Sequence, residues 1–456
     1  MRWNEYLDHH QERFIDELKA LIAIPSVSAD PGHAPDMLRA ADWVVARLKA
    51  AGIAEARVVP TAGHPVVFAE WLGAGSDKPT ILIYGHYDVQ PPEPYDAWTS
   101  PPFEPEIRDG KIWGRGASDD KGGVMAAILG IESVMATEGR LPVNVKFFFE
   151  GEEEIGSPSI PDAVRTMAGE MASDMIFSAD GLQWSPDQPQ IIEALKGMLK
   201  LELVVRGPRS DQHSGLHGGG IANPALALAQ MLAQLKSTEG LVTVPGFYDD
   251  VIDLDDETRA AIARIPYDEA AYLAETGAPA TTGEPGYTTR ERLWARPTLD
   301  VNGLTSGWQG PGSKTVLPAE ARAKITCRLV AAQTPEAVAR AIEAQVQRVT
   351  PFGVTAELKV LPGGAPPFLA PAGHNAGSVA SEVLAEVYGR APYRTRVGGS
   401  IPILSTFAEV LGVHAVMLGF SHDDENLHAP DEFFRLDSFR RGQEVYARLL
   451  QRLGQG

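Results

Sequence analysis

The run Thr80-Ile81-Leu82-Ile83-Tyr84 has no polar alternation, and it stops abruptly at Gly85-His86-Tyr87-Asp88. A strand of that kind has no wet face, so it belongs inside a sheet covered on both sides. Further strand-like segments stand at residues 66–71 and 143–149, the second ending in Phe147-Phe148-Phe149-Glu150. Between them lie helical periodicities. Residues 11–24 place Phe14, Leu18, Leu21 and Ile22 on one face before Pro25 ends the helix. Residues 35–51 form a second amphipathic segment closed by Gly52, and residues 122–137 a third. This alternation predicts an α/β layered sheet with helices on both faces. In such sheets the binding site lies beyond the carboxyl ends of the strands, where His86, Glu150–Glu154 and Asp180 fall.

The pattern changes near residue 195. Leu199-Lys200-Leu201-Glu202-Leu203-Val204-Val205 alternates, as a strand with one wet face should. A helix at 223–235, strands at 298–304 and 323–330, a helix at 335–349 and a strand at 354–360 follow, suggesting a smaller α+β domain inserted into the first. Pro362-Gly363-Gly364-Ala365-Pro366-Pro367 marks the return. The expected division is 1–194 and 363–456 for the larger domain and 195–362 for the insert. Residues 241–296 are polar, acidic and weakly helical, an elaboration of that insert. Two domains also suit a length of 456 residues, more than one core usually serves.

Sixty acidic against 40 basic residues give a net charge of −20, which argues against nucleic acid or an anionic membrane as partner. Cys327 stands alone, so no intramolecular disulfide can form. The start has no apolar signal core, and no run approaches the roughly 20 apolar residues of a membrane span. A soluble cytoplasmic protein is expected.

Five clusters carry the chemistry: His86 with Asp88; Ser118-Asp119-Asp120-Lys121-Gly122; Glu150-Gly151-Glu152-Glu153-Glu154; Asp180 after Ser178-Ala179; and Asn426-Leu427-His428-Ala429-Pro430. Imidazole and carboxylate without usable thiols suit zinc, manganese or cobalt. A carboxylate beside a ligating histidine fixes its tautomer, which gives Asp88 a role next to His86. Asp119 or Asp120 could simply cap a helix, but a cap needs one carboxylate. The glycine-rich stretch before them lacks the Gly-Lys-Ser/Thr ending of a phosphate loop. Four carboxylates in five residues after an aromatic strand raise one another's pKa, which suits a general base. His428 shares its loop with His422, Asp423, Asp424 and Glu425, and composition does not choose among them. His213 could be a hydrogen-bonding loop residue. No Gly-x-Ser-x-Gly elbow is present, and Cys327 sits within an alternating strand, a packing position.

Together, in this order, the clusters resemble the dinuclear-zinc exopeptidase family. Its members include carnosinase, cytosolic non-specific dipeptidase, aminoacylase, succinyl-diaminopimelate desuccinylase and glutamate carboxypeptidase. The resemblance covers essentially the whole chain. It implies a layered catalytic domain with a mixed, largely parallel sheet, and an inserted lid and dimerisation domain. It implies two divalent ions per subunit, zinc foremost, with manganese or cobalt as alternatives. His86, Asp119 and Asp180 would hold one ion; Asp119 would bridge to a second completed by Glu154 and His428. Glu153 would be the general base activating a bridging water, and Asp88 would orient His86. The family often holds a cis peptide at the position of Asp119–Asp120. His213 matches a lid histidine that serves the partner subunit's site. Arg328, Ser400 and Gly399 fall where the family grips the substrate carboxylate. The insertion at 241–296 and Arg292-Leu293-Trp294-Ala295-Arg296-Pro297-Thr298-Leu299 look most like the dipeptidase branch. The implied activity is hydrolysis of dipeptides or short peptides with a free carboxy terminus, by a homodimer. An N-acyl-amino-acid deacylase would use the same site, and a silent peptide binder would have no need of Glu153.

Overall fold

The computed structural model describes residues 1–455 except Ala372, His374 and Ser400, and excepting the side chain of Pro402. The chain divides into two compact units. One comprises Met1–Glu193, Ala370–Arg394 and Ile401–Gly456; the other comprises Ala194–Leu369 and Thr395–Ser400.

The first unit is built on a six-stranded mixed sheet, in the order Glu55–Val59, Val66–Trp71, Asn144–Glu150, Thr80–His86, Met175–Ser178 and Ala415–Met417. The last four strands run parallel, while the first two pair antiparallel. Both faces are dry, as the unbroken apolar runs require. Ile81, Ile83, Val145 and Phe147 join the core shared with helices Gln11–Ile22, Ala34–Ala50, Lys121–Glu138 and Leu436–Gly454. On the other face Tyr84 and Phe148 pack edge-on against Phe407 of helix Pro402–Leu411.

Helix Lys121–Glu138 is buried from Lys121 to Val134 because its residues are almost all small or apolar. Gly130 lets helix Leu436–Gly454 approach closely: a Cβ there would lie 2.5 Å from the Gln443 carbonyl oxygen. Buried Lys121 donates to the carbonyls of Leu21 at 3.1 Å and Ile24 at 2.7 Å, satisfying the end of helix Gln11–Ile22. Helix and strand ends agree with the sequence expectation or differ by up to three residues, except that the strand expected at 354–360 runs on to Ala365, through the Pro362-Gly363-Gly364 stretch read as the return.

The second unit has an antiparallel sheet ordered Thr298–Ser306, Glu320–Leu329, Gly197–Arg206 and Thr355–Ala365. Leu199, Leu201 and Leu203 face inward with Ala323, Ile325 and buried Cys327, against helices Pro224–Leu232 and Pro335–Val349. Asn223 and Thr334 cap those helices through side-chain oxygens. Residues 241–296 contain three short helices, Asp256–Arg264, Glu269–Thr276 and Thr289–Ala295. Among the described residues, no helix is long and apolar enough to cross a membrane.

Candidate metal centre

Parallel strands Thr80–His86, Asn144–Glu150 and Met175–Ser178 end on one edge of the first unit's sheet, and the clusters begin where they stop. His86, the last residue of its strand, is fully buried. Its Nε2 lies 3.0 Å from Asp119 Oδ1. Its Nδ1 lies 3.1 Å from the Asp88 carbonyl and 3.4 Å from the Asp88 carboxylate. The other Asp88 oxygen accepts the Glu154 N–H at 3.1 Å, so one aspartate steadies two clusters.

Asp119 and Asp120 are joined by a cis peptide bond. Asp120 occupies the cap position of helix Lys121–Glu138 but makes no side-chain cap bond. Its carboxylate instead accepts the His86 N–H at 3.3 Å. Asp119 Oδ2 meets His428 Nε2 at 3.1 Å, and Glu154 Oε2 meets the same nitrogen at 3.2 Å. Two groups of possible ligand atoms result, each within 4.8 Å: His86, Asp119 and Asp180, and Asp119, Glu154 and His428. Asp119 is common to both.

The acidic run after Phe149 separates by function. Glu150 accepts from the Tyr84 hydroxyl at 2.9 Å and the Ser157 hydroxyl at 2.7 Å. Glu152 turns away to bind the His64 and Ser159 N–H groups. Glu153 and Glu154 remain for the cleft. In the last cluster, His422 pairs with Glu425 at 3.3 Å, and Asp424 with Arg435 at 2.6 Å. His428 alone among these loop residues meets Asp119 and Glu154. Its loop holds Asn426, His428 and Asp431 at positive φ, a costly conformation for residues with a Cβ. Asn426 Nδ2 donates to the Asp431 carbonyl, and the Asp431 carboxylate takes the Thr99 N–H and hydroxyl.

The electrostatics indicate what such a cluster of side chains could hold. Burial, and then Asp119, push Asp180 up to about 7. Burial also raises Glu153 well above the usual carboxylate range; His86 opposes this, while Asp180, Glu154 and Asp119 add to it. Glu154 is raised by burial and Asp119. Asp119 goes the other way: burial would raise it, but hydrogen bonds from His428 and His86 hold it low. The same contacts with Asp119 and Glu154 push His428 up to about 10. Buried carboxylates at this density need positive charge, and divalent cations would supply it while leaving both imidazoles neutral. Oxygen and imidazole nitrogen donors without thiolate suit zinc, manganese or cobalt.

Sequence reasoning missed the groups that hold the centre's loops. Glu432 is fully buried and accepts Arg115 Nη1 at 2.8 Å together with the N–H groups of Gly116, Ser118 and Asp119. Glu425 accepts the Ser118 hydroxyl at 2.5 Å and Arg435 Nη1 at 2.9 Å. Gln90 donates to Glu154 Oε2 at 2.9 Å. An acid directly before the apolar pair Phe433-Phe434 was the available signal for Glu432.

His213 and Arg328 belong to the second unit. His213 is exposed, with Nδ1 accepting the Gly215 N–H at 3.0 Å. Arg328 is half-buried on strand Glu320–Leu329, and Gly399 is exposed. Ser400 lies outside the described residues.

The model of peptidase family M20/M25/M40 matches residues 82–452. The Cys-Gly metallodipeptidase dug1 of Schizosaccharomyces pombe is 29% identical, over 98% of this chain and 97% of its own. The Beta-Ala-His dipeptidase of Rattus norvegicus is 30% identical, over 97% and 93%. The crystal structure of the M20 family metallo-carboxypeptidase Sso-CP2 from Sulfolobus solfataricus superimposes with a TM-score of 0.83 at 30% identity, covering 97% of this chain and 99% of that one.

Proposed function

Because this chain belongs to peptidase family M20/M25/M40, we propose that it hydrolyses the amide bond of dipeptides or short peptides with a free carboxy terminus. The observation that carries this reading is the sharing of Asp119 between two ligand groups, with half-buried Glu153 in electrostatic reach of His86, Asp180, Glu154 and Asp119. That both named relatives are dipeptidases supports dipeptides as substrates.

His86, Asp119 and Asp180 would hold one divalent ion, and Asp119, Glu154 and His428 would hold the second; zinc is the first choice. When bound, such ions supply Lewis acidity and lower the pKa of water. Asp88 keeps the His86 ring in the orientation that presents Nε2 to the centre. Glu153 takes the proton of the attacking water and returns it to the departing amine. Burial keeps it more basic than a surface glutamate. His213 of a partner subunit donates to the developing oxyanion. Arg328, Gly399 and Ser400 hold the substrate carboxylate.

A homodimer formed through the 195–362 lid agrees with the exposed Leu216, Leu226, Leu304 and Trp308 of the second unit. Residence in the cytoplasm is proposed on the single, buried Cys327.

The test is amine release from dipeptides and N-acyl amino acids by protein stripped of metal and reloaded with zinc or manganese. Metal-dependent dipeptide cleavage, lost in Glu153→Gln, is the expected result. Cleavage of acyl-amino acids alone would move the chain to the deacylases. Binding without turnover would leave a silent peptide binder.

A further inference from the structure

One stretch of the first unit reaches both of the ligands that set the Asp119, Glu154 and His428 group apart from its neighbour. At its start, Gln90 Nε2 donates to Glu154 twice, to Oε2 at 2.9 Å and to the carbonyl at 3.2 Å. At its end, Thr99 gives its N–H and its hydroxyl to the Asp431 carboxylate, at 2.8 and 2.7 Å. The Asp431 carbonyl accepts Asn426 Nδ2 at 2.9 Å, which closes the loop around His428. Among the described residues, neither Gln90 nor Thr99 bonds to His86 or Asp180.

The stretch is itself braced. Trp98 Nε1 donates to the Pro92 carbonyl at 2.7 Å, folding the segment onto itself. The Arg115 guanidinium lies over the Trp98 ring, 5.3 Å from its centroid, and donates to the Pro91 carbonyl at 3.4 Å. The two ligand groups need such support unequally. His86 closes a central strand with its side chain fully buried, and Asp180 follows the adjacent parallel strand by two residues. His428 lies in a turn, its side chain is 54% exposed, and its φ of 60° is flanked by 55° at Asn426 and 58° at Asp431. Residues with a Cβ keep that conformation only where their surroundings over-determine it.

We infer that Gln90 and Thr99 are positioning residues for one metal ion only, the one assigned to Glu154 and His428. This rests on the two-ion reading of the centre. Gln90 fixes the oxygen that Glu154 offers, and Thr99 fixes the loop that offers the imidazole. Asp119 is held separately, by Glu432 on its N–H. Loss of either brace therefore loosens one ligand of three, while the shared aspartate and the group of His86 and Asp180 keep their places.

The experiment titrates metal-stripped protein with zinc against a competing chelator, with the visible absorption of the cobalt-loaded protein as a second readout. Wild type should take up two equivalents. Gln90→Met, which keeps the side chain's length and removes the donor, should lose about 10–100-fold in affinity for one equivalent and keep the other. Thr99→Val, which removes only the hydroxyl, should weaken the same equivalent. Adding Asp180→Ala to Gln90→Met should abolish the tight equivalent, whereas adding His428→Ala should leave it. The reverse pattern, equal weakening of both equivalents, or unchanged affinity in both variants would overturn the inference. A single equivalent in wild type would sink it together with the two-ion centre. Selective loss in a protein that turns over no dipeptide would uphold it and overturn the dipeptide reading alone. Thr99→Val decides the matter where Gln90→Met fails to fold.

Discussion

Glu432 and Asp119 are 313 residues apart in the chain, yet Glu432 Oε1 accepts the Asp119 backbone N–H at 3.1 Å. The same carboxylate holds Gly116, Ser118 and the buried guanidinium of Arg115, so one side chain fixes the loop that presents Asp119. Glu432→Ala strands Arg115 in the interior, a change expected to destabilise the fold by about 3–5 kcal/mol. Metal affinity should fall by roughly 10–100-fold, as for other outer partners of ligands. Calorimetric unfolding and metal competition read the two effects separately. Unaltered affinity would show that the Asp119 loop holds its position without Glu432.

Sharing of Asp119 predicts an asymmetry in metal content. Asp119→Ala should retain neither ion, whereas Asp180→Ala should retain the one held by Glu154 and His428. Elemental analysis after dialysis gives the stoichiometry. Glu153→Gln should keep both ions and lose ~10²–10⁴ in kcat, the usual range for a general base. Loss of metal in that variant would make Glu153 a ligand instead.

If His213 serves the neighbouring subunit, His213→Ala should lower kcat by ~10²–10³ with metal content unchanged. Mixing it with Glu153→Gln under subunit exchange should then restore about a quarter of wild-type activity, because half the dimers gain one intact site. No recovery on mixing, with exchange verified, would place the histidine's action within its own subunit.

Lys196 gives a pH signature. Burial lowers its pKa from 10.5 to about 7 on folding, so between those values the unfolded chain holds more of its proton. Stability from this group therefore rises with pH through that window, and the penalty is complete below it. Replacing it by methionine removes the penalty and also the pH-independent bond to the Arg292 carbonyl. The stability of Lys196→Met relative to wild type should be most favourable near pH 7 and decline toward pH 10. Denaturant unfolding at several pH values measures this, and a difference flat with pH would refute the assignment.

The fold was legible in the sequence wherever burial imposes a period. The unbroken run at Ile81–Tyr84 demanded a covered strand, the alternation at Leu199–Val205 a half-wet one, and both stand where those patterns indicate. Cluster composition also determined the donor chemistry, because residue type alone sets hardness and charge. Position within a cluster was different. Nothing local tells His428 from His422, or Glu154 from Glu152. Their roles in the structure depend on partners such as Asp119, Glu425, His64 and Ser159 that the chain brings back from distant segments. The same holds for Glu432 and for the cations around Lys196. Periodicity records only whether a residue is buried, while hydrogen bonds and buried charge depend on which groups meet. The sequence by itself determined the layers and the ligand types; the tertiary structure alone decided which side chains converge, because convergence is a relation between segments and no single segment contains it.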